Sequence, residues 1–105
     1  MTAICEMIDI VSIDLESAEP TITVEPLVTC GQLTHALLPI GYTLPIVPEM
    51  DDLTVGGLVN GTGIESSSHR HGLFHEQCTA FEICLADGTV VRASKDEHAE
   101  LFHAI

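Results

Sequence analysis

The alternation of apolar and polar side chains predicts two short strands at the start of the chain. Ile8, Ile10 and Ile13 supply the apolar positions of the first strand. Thr21-Ile22-Thr23-Val24 alternates polar and β-branched residues, which is typical of a half-buried second strand. Because the segment 16–20 between them is polar and turn-forming, we expect the two strands to pair as a hairpin.

A helix is predicted after the first hairpin. Thr29 followed by Gln32 is a capping-box pattern, which marks a helix N-terminus. The apolar positions recur with helical spacing at Leu33, Ala36 and Leu37. Pro39 and Gly41 end this helix, and the prolines of segment 42–48 favour a rigid extended connection.

A second hairpin is predicted in the C-terminal half. Segments 79–85 and 90–93 have strand composition, and the dipeptide Asp87-Gly88 between them is a strong turn signal. This pairing would place Glu82 opposite Arg92.

A last helix is predicted from a second capping-box pattern, Ser94-Lys95-Asp96-Glu97. Its buried face would consist of Leu101, Phe102 and Ile105. Together the elements predict an α+β fold, an antiparallel sheet with two helices.

The segment 51–74 differs from the rest of the chain in its glycine content. It contains Gly56, Gly57, Gly61, Gly63 and Gly72. One interpretation is a flexible surface loop. The other is a backbone that approaches a phosphate closely and offers its N–H groups.

Within this segment, Thr54 or Asp52 is expected to cap a short helix from Val55 to about Val59, whose first N–H groups would be free to meet phosphate. We expect glycine at 56 and 57 because a Cβ would hold a bound ligand away. The carboxylates that precede this helix (Glu49, Asp51 and Asp52) are either solvated turn residues or acceptors for hydroxyls of the ligand. Glu65 is either such an acceptor or merely exposed.

The length of 105 residues suits one domain, and 46% apolar residues indicate a globular chain. Sixteen acidic against three basic residues give a formal charge of −13. This charge argues against nucleic acid and anionic membrane surfaces as partners, and it also opposes a dianionic diphosphate.

The cysteines show no C-x-x-C spacing and are expected to be reduced; they are Cys5, Cys30, Cys78 and Cys84. Cys78 and Cys84 are expected to pack as small apolar side chains. No apolar run approaches the length of a membrane-spanning helix.

His69, His71 and His75 form a histidine cluster in which metal binding is one interpretation. Since no cysteine or carboxylate lies at a recognised ligand spacing, we predict no metal site.

The segment 25–94 resembles the flavin-binding domain of the delta(24)-sterol reductases (24-dehydrocholesterol reductase, Diminuto-like proteins), part of the vanillyl-alcohol-oxidase type of FAD-linked oxidoreductases. The resemblance extends from about Met7 to Ile105, and TVGGL, GTGIESSSH and GLF are its most specific motifs. It implies FAD binding, and in the whole enzyme NADPH-dependent reduction of a sterol side-chain double bond.

The resemblance also implies that residues 1–105 are a fragment, a partial PCMH-type FAD-binding domain made mostly of the second FAD subdomain. The implied cofactor-binding residues are Thr54, Val55, Gly56, Gly57, Leu58, Val59, Asn60, Gly61, Thr62, Gly63, Ile64, Glu65 and Ser66. No catalytic residue is assigned. The fragment alone is expected to lack reductase activity and to bind FAD weakly, if at all.

The sterol reductases usually carry an N-terminal membrane anchor, and the resemblance implies an endoplasmic reticulum membrane for the whole enzyme. This chain is expected to be soluble and intracellular. Two alternatives remain open: the FAD domain of another flavin-linked oxidase, and a non-catalytic fragment that forms a homo-oligomer.

Overall fold

The computed structural model describes residues 6–105. Its strands are β1 (Ile10–Asp14), β2 (Thr21–Val24), β3 (Ala80–Cys84) and β4 (Val90–Ser94). Its α-helices are α1 (Cys30–Leu37), α2 (Val55–Asn60), α3 (Ser68–His71) and α4 (Ala99–Ala104), with 3₁₀-helices at Leu38–Ile40 and Phe74–Gln77. This mixture confirms the predicted α+β class.

Both predicted hairpins are formed, and both are antiparallel. The pairing of β1 with β2 has a register shift between Ile10 and Ser12. In the pairing of β3 with β4, Glu82 lies opposite Arg92. Within residues 6–105 the strands form two separate two-stranded sheets, because each strand pairs only with its neighbour in sequence.

The turn of the second hairpin is the predicted Asp-Gly turn. Gly88 has a φ of 86°, and its N–H donates to the carbonyl of Leu85 at 2.9 Å. The N–H of Thr89 donates to a carboxylate oxygen of Asp87 at 2.9 Å, and this hydrogen bond lowers the pKa of Asp87. The charged carboxylate therefore stabilises the turn.

The capping box of α1 is confirmed. The Thr29 hydroxyl accepts a hydrogen bond from the N–H of Gln32 at 3.2 Å, and the Gln32 side chain accepts one from the N–H of Thr29 at 2.9 Å. The start of α1 is also tied to the start of α2, since Cys30 N–H donates to the carbonyl of Leu53 at 2.9 Å. The two helix starts are thus held together by backbone hydrogen bonds.

The core lies beneath the glycine-rich segment. It is a cluster of buried apolar side chains consisting of Cys30, Ile46, Leu58, Val59 and Phe74. Leu58 and Val59 come from α2 and Phe74 from the 3₁₀-helix that follows α3. One side of the glycine-rich segment is therefore held by the core, and its other side faces solvent.

The predicted start of the last helix is wrong. α4 begins at Ala99, while Ser94 is the last residue of β4. The Ser94 hydroxyl does accept hydrogen bonds from the N–H groups of Asp96 and Glu97, at 3.3 and 3.2 Å. Because Ser94 is held in the strand, these bonds close a turn and not a helix.

The apolar face of α4 packs as expected, although its side chains are only half-buried. Ile105 contacts the core, and the Phe102 ring lies 5.5 Å from the ring of Phe81 on β3. Leu101 is also half-buried. The second hairpin is thereby joined to the C-terminal helix.

The cysteines of the described chain are free thiols with different exposure. Cys30 is buried, Cys78 is half-buried against the core and Cys84 is exposed. The expectation of apolar packing is confirmed for Cys78 but wrong for Cys84, whose position on β3 faces solvent. Cys5 lies outside the described residues.

The helices of residues 6–105 are short or polar. None of them combines the length and the apolar character that crossing a membrane would require.

Candidate functional site

An open groove runs along the solvent side of the glycine-rich segment. Its volume is about 540 Å³, which is within the range of small-molecule sites. The groove is lined by Asp52, Leu53, Thr54, Gly57, Leu58, Gly61, Thr62, Gly63, Ile64 and Glu65. We call it the glycine groove.

One wall of the glycine groove is α2. Thr54 caps this helix, since its hydroxyl accepts a hydrogen bond from the N–H of Gly57 at 3.3 Å. Gly57 is exposed, and a Cβ placed there would meet only the Thr54 hydroxyl oxygen, at 3.0 Å. A side chain at position 57 would therefore extend into the groove.

A tight turn after α2 forms another part of the lining. Thr62 has a φ of 72°, and the N–H of Gly63 donates to the carbonyl of Gly61 at 3.0 Å, as in a γ-turn. Gly63 has a φ of 53°, and a Cβ there would lie 2.6 Å from the Cβ of Phe74. Glycine at 63 is thus required so that the turn can pack directly on the core.

The prediction that the first N–H groups of α2 are free is wrong. Val55 N–H donates to the carbonyl of Val28 at 2.9 Å, and Gly56 N–H donates to the carbonyl of Pro26 at 2.8 Å. The N–H of Gly57 is occupied by the cap of its own helix. The start of α2 therefore offers no vacant donor to a phosphate.

Position 56 requires glycine, but for a different structural reason from the predicted one. A Cβ at this position would lie 3.0 Å from the Cβ of Pro26 and 3.1 Å from its carbonyl oxygen. Gly56 does not line the glycine groove. Its missing side chain makes room for the loop that contains Pro26, and not for a ligand.

Vacant backbone donors occur instead in the turn that follows α2. The N–H groups of Thr62 and Ile64 donate to no group within residues 6–105, and both residues line the groove. Backbone N–H groups need a partner when a ligand removes them from water. These two groups are available to an acceptor on a bound molecule.

The serine run braces this turn. Glu65 N–H donates to the Ser68 hydroxyl at 2.9 Å, and Ser68 N–H donates to the carbonyl of Glu65 at 2.9 Å. The Ser67 hydroxyl donates to the carbonyl of Pro45 at 3.0 Å. The hydroxyls of Ser67 and Ser68 are therefore engaged within the protein and hold Glu65 at the groove.

The glycine groove is negatively charged. Asp52 and Glu65 are the charged residues of its lining, which contains no lysine or arginine. Glu65 is half-buried, and no described residue donates a hydrogen bond to its carboxylate. Burial raises the pKa of the nearby Cys30 thiol, and the charges of Asp51 and Glu65 raise it further.

The three histidines of the cluster lie on α3 and on the 3₁₀-helix that follows it. His69 and His71 lie on α3, where residues two positions apart point to different sides of the helix. Among residues 6–105, no three histidine, cysteine or carboxylate side chains are grouped so as to hold a metal ion. His69 Nδ1 lies 2.7 Å from the carbonyl oxygen of Ser66, an arrangement that orients its ring.

Most of the segment predicted from the sequence lines the groove. The lining includes Thr54, Gly57, Leu58, Gly61, Thr62, Gly63, Ile64 and Glu65. The remaining predicted residues lie outside it, at Val55, Gly56, Val59, Asn60 and Ser66. Asp52 also lines the groove. This position is compatible with the interpretation of its carboxylate as an acceptor for hydroxyls of the ligand. Leu53 was not among the residues predicted to bind a cofactor. Its position next to Thr54, the cap of α2, could have indicated that it lines the groove.

Comparison with known proteins identifies the family. A family model described as "FAD binding domain" matches residues 4–94. The chain is 54% identical over 99 residues to the human "Delta(24)-sterol reductase", an alignment that covers 94% of this chain and 19% of that protein. It is 52% identical over 94 residues to the pea "Delta(24)-sterol reductase", covering 89% of this chain and 17% of that protein.

A relative of lower sequence identity has a similar name. The chain is 45% identical over 95 residues to a "Delta(24)-sterol reductase homolog" of Caenorhabditis elegans, covering 90% of this chain and 18% of that protein. The chain thus spans about a fifth of the length of the curated relatives it matches. These comparisons confirm the resemblance drawn from the TVGGL and GTGIESSSH motifs, and the chain belongs to the FAD-binding domain family.

Proposed function

We propose that the glycine groove is the part of this chain that contacts FAD. The observation that carries the proposal is that all lining residues of the groove come from one segment, 52–65, which lies inside the region matched by the FAD-binding family. Its glycines at 57, 61 and 63 leave parts of the lining without side chains. A flat ring or a sugar chain can therefore approach the backbone closely.

The residues of the groove fit such a cofactor. At Gly57 a side chain would occupy the space that the ligand needs. The N–H groups of Thr62 and Ile64 are available as donors, and the Glu65 carboxylate is available as an acceptor for hydroxyls. Leu53, Leu58 and Ile64 supply apolar contacts for the ring.

The predicted cofactor residues outside the lining support the groove from behind. Asn60 donates its side-chain N–H to the carbonyl of Gly56 at 3.0 Å, which holds the last turn of α2. Val59 is buried in the core, and Ser66 accepts the hydrogen bond that orients His69. We assign these residues a supporting role and the eight lining residues a contact role.

FAD would supply the redox chemistry, and the chain would orient it and control its surroundings. We propose that the whole protein is an FAD-dependent oxidoreductase that reduces a sterol side-chain double bond with NADPH; the name of the relatives, delta(24)-sterol reductase, supports the sterol reductase part of this proposal. Residues 1–105 would be part of the FAD-binding domain, mostly its second subdomain. The sterol, any homo-oligomer and an endoplasmic reticulum membrane location belong to this proposal for the whole protein.

The experiment that tests FAD contact is a titration of the chain with FAD, followed by flavin absorbance and fluorescence. Gly57→Leu should weaken FAD binding at least about tenfold, since a loss of ~1.4 kcal/mol is tenfold in affinity. His35→Leu is the matched control, because it adds the same side chain at an exposed helical position outside the groove.

Equal loss of FAD binding in both variants would show a general effect and not a contact at the groove. Unchanged binding in Gly57→Leu would remove the groove from the FAD site. Assay of the full-length protein with a sterol and NADPH separates a sterol reductase from a flavin oxidase of another substrate.

A further inference from the structure

We infer that the start of α1, which lies outside the glycine groove, positions the groove for FAD, with Gly31 as the positioning residue. This inference rests on the proposed FAD contact and adds a second segment of the chain on which that contact depends. Gly31 acts through Asp51, the residue that precedes the groove lining.

The starts of α1 and α2 repeat one short sequence pattern. Residues 29–33 (TCGQL) and residues 54–58 (TVGGL) both have the form Thr-X-Gly-X-Leu. In both, the threonine is the N-cap in extended backbone, with φ −90° and ψ 159° at Thr29 and φ −91° and ψ 151° at Thr54. The final leucine is buried in both. The chain therefore forms the same local structure twice.

The two helix starts exchange equivalent backbone hydrogen bonds. In each start, the N–H groups of the two residues after the threonine donate to carbonyls of the other segment. The donor–acceptor pairs are Cys30–Leu53, Gly31–Asp51, Val55–Val28 and Gly56–Pro26, at 2.8–2.9 Å. Because each bond has its equivalent in the other direction, a displacement of either segment disturbs both.

The glycine of the pattern allows this close approach in both segments. A Cβ at Gly31 would lie 3.1 Å from the Cβ of Asp51 and 3.2 Å from its carbonyl oxygen. A Cβ at Gly56 would lie 3.0 and 3.1 Å from the same two atoms of Pro26. The groove lining begins at Asp52. A side chain at position 31 would therefore displace the backbone directly before the lining.

The two helix starts differ at the fourth position of the pattern. Gln32 closes the first start, because its side-chain oxygen accepts a hydrogen bond from the N–H of Thr29 at 2.9 Å. Gly57 has the equivalent position in the second start, where it lines the groove and has no side chain that could close it. The start of α1 is thus braced by its own capping box, whereas the open start of α2 depends on its hydrogen bonds to the first.

The test is Gly31→Ala in the 105-residue chain, followed by amide NMR without ligand and by titration with FAD. We expect shifts at the amides of residues 52–57 and a fall in FAD affinity of about threefold or more, because binding geometry is sensitive to displacements of about 0.5 Å. Alanine favours a helix more than glycine does. Helix propensity alone would therefore predict a more stable chain with unchanged FAD affinity.

A second substitution connects the result to the contact with Asp51. Asp51→Gly removes the side-chain atoms that a Cβ at position 31 would meet. In the double variant, Asp51→Gly should restore part of the FAD affinity that Gly31→Ala loses, so the two effects should be less than additive.

Gly88→Ala is the control for a general loss of stability. Gly88 has a φ of 86° in the turn of the second hairpin, outside the groove lining, and a Cβ there would have nothing within 4 Å. Left-handed backbone strain should make this variant less stable. Its FAD affinity should equal that of the wild type.

Each other outcome overturns a specific statement. If the wild type binds FAD and Gly31→Ala binds it equally well, the inference fails while the proposed function stands. Additive effects of Gly31→Ala and Asp51→Gly, or an equal loss of FAD affinity in Gly88→Ala, also overturn the inference.

Absence of FAD binding by the wild type overturns the proposed function. In that case, amide shifts at residues 52–57 in Gly31→Ala would still support the positioning of the groove by α1, and absence of these shifts would overturn it.

Discussion

Gly63 shows how a single residue supports the groove. Its φ of 53° is unfavourable for a side chain, and its Cβ would lie 2.6 Å from the Cβ of Phe74 and 3.3 Å from a methyl carbon of Leu58. We predict that Gly63→Ala lowers the free energy of unfolding by about 2–4 kcal/mol, from left-handed backbone strain and overpacking together. Urea unfolding followed by circular dichroism measures this change.

The matched control is Gly41→Ala. Gly41 also has a left-handed φ, of 83°, but a Cβ there would have nothing within 4 Å. Gly41→Ala should therefore cost only the backbone term, about 1–2 kcal/mol. Equal costs for the two variants would contradict the contact between the turn and Phe74.

From the burial of the Cys78 thiol we predict that the free energy of unfolding depends on pH in the alkaline range. Burial raises its pKa from 9.0 to about 11, so the folded protein keeps this proton to a higher pH than the unfolded chain. Between these two values the unfolded chain binds fewer protons, and the free energy of unfolding must fall as pH rises. Urea unfolding at several pH values in this range should show the decrease.

Cys78→Ala is the comparison that isolates this thiol, because burial also raises the pKa of the Cys30 thiol. The variant should show a smaller decrease over the same pH range. Parallel pH profiles for the two proteins would mean that the thiol is not buried in solution.

At the scale of elements, the same capping pattern has different effects at two places. Thr29 caps α1 with both reciprocal hydrogen bonds, while Ser94 uses its hydroxyl to close a turn at the end of β4. We predict that Thr29→Ala lowers the free energy of unfolding by ~1 kcal/mol, which is typical of a lost N-cap. Thermal unfolding of the variant measures this loss.

Thr29→Ser, which keeps the hydroxyl, should remain close to the wild type. Ser94→Ala should leave the helical signal of α4 unchanged, because α4 begins at Ala99 and not at Ser94. A fall in helical content in Ser94→Ala, without general loss of stability, would contradict this assignment.

Elements determined by local interactions could be predicted from the sequence, and those determined by distant contacts could not. The cap of α1, the Asp-Gly turn and α2 depend on residues within a few positions of one another. Gly56 instead faces Pro26, thirty positions earlier, and this contact occupies the N–H group expected to be free. The glycine pattern therefore identified the segment but not which glycines meet a ligand.

At the scale of the whole molecule, the large negative net charge affects the stability of the folded chain. A formal charge of −13 on 105 residues makes the folded chain repel itself, and salt screens this repulsion. We predict that raising NaCl from about 20 to about 200 mM increases the unfolding midpoint by ~3–8 °C. Differential scanning calorimetry at neutral pH measures the shift.

A charge-reversal variant serves as the control. Glu16 and Glu19 lie in the exposed turn between β1 and β2, so Glu16→Lys with Glu19→Lys reduces the net charge without altering the core. The salt-dependent increase should be smaller in this variant. An equal or larger increase would mean that salt acts other than by screening.

The most direct test of FAD contact at the glycine groove is a titration of the ¹⁵N-labelled chain with FAD, followed by two-dimensional amide NMR. We predict saturable, weak binding of FAD, with a dissociation constant above ~1 µM. The largest shifts should occur at the amides of Gly57, Gly61, Thr62, Gly63, Ile64 and Glu65, while those of β3 and β4 should move little. Absence of shifts at millimolar FAD, or shifts centred on the second hairpin, would contradict FAD contact at the glycine groove.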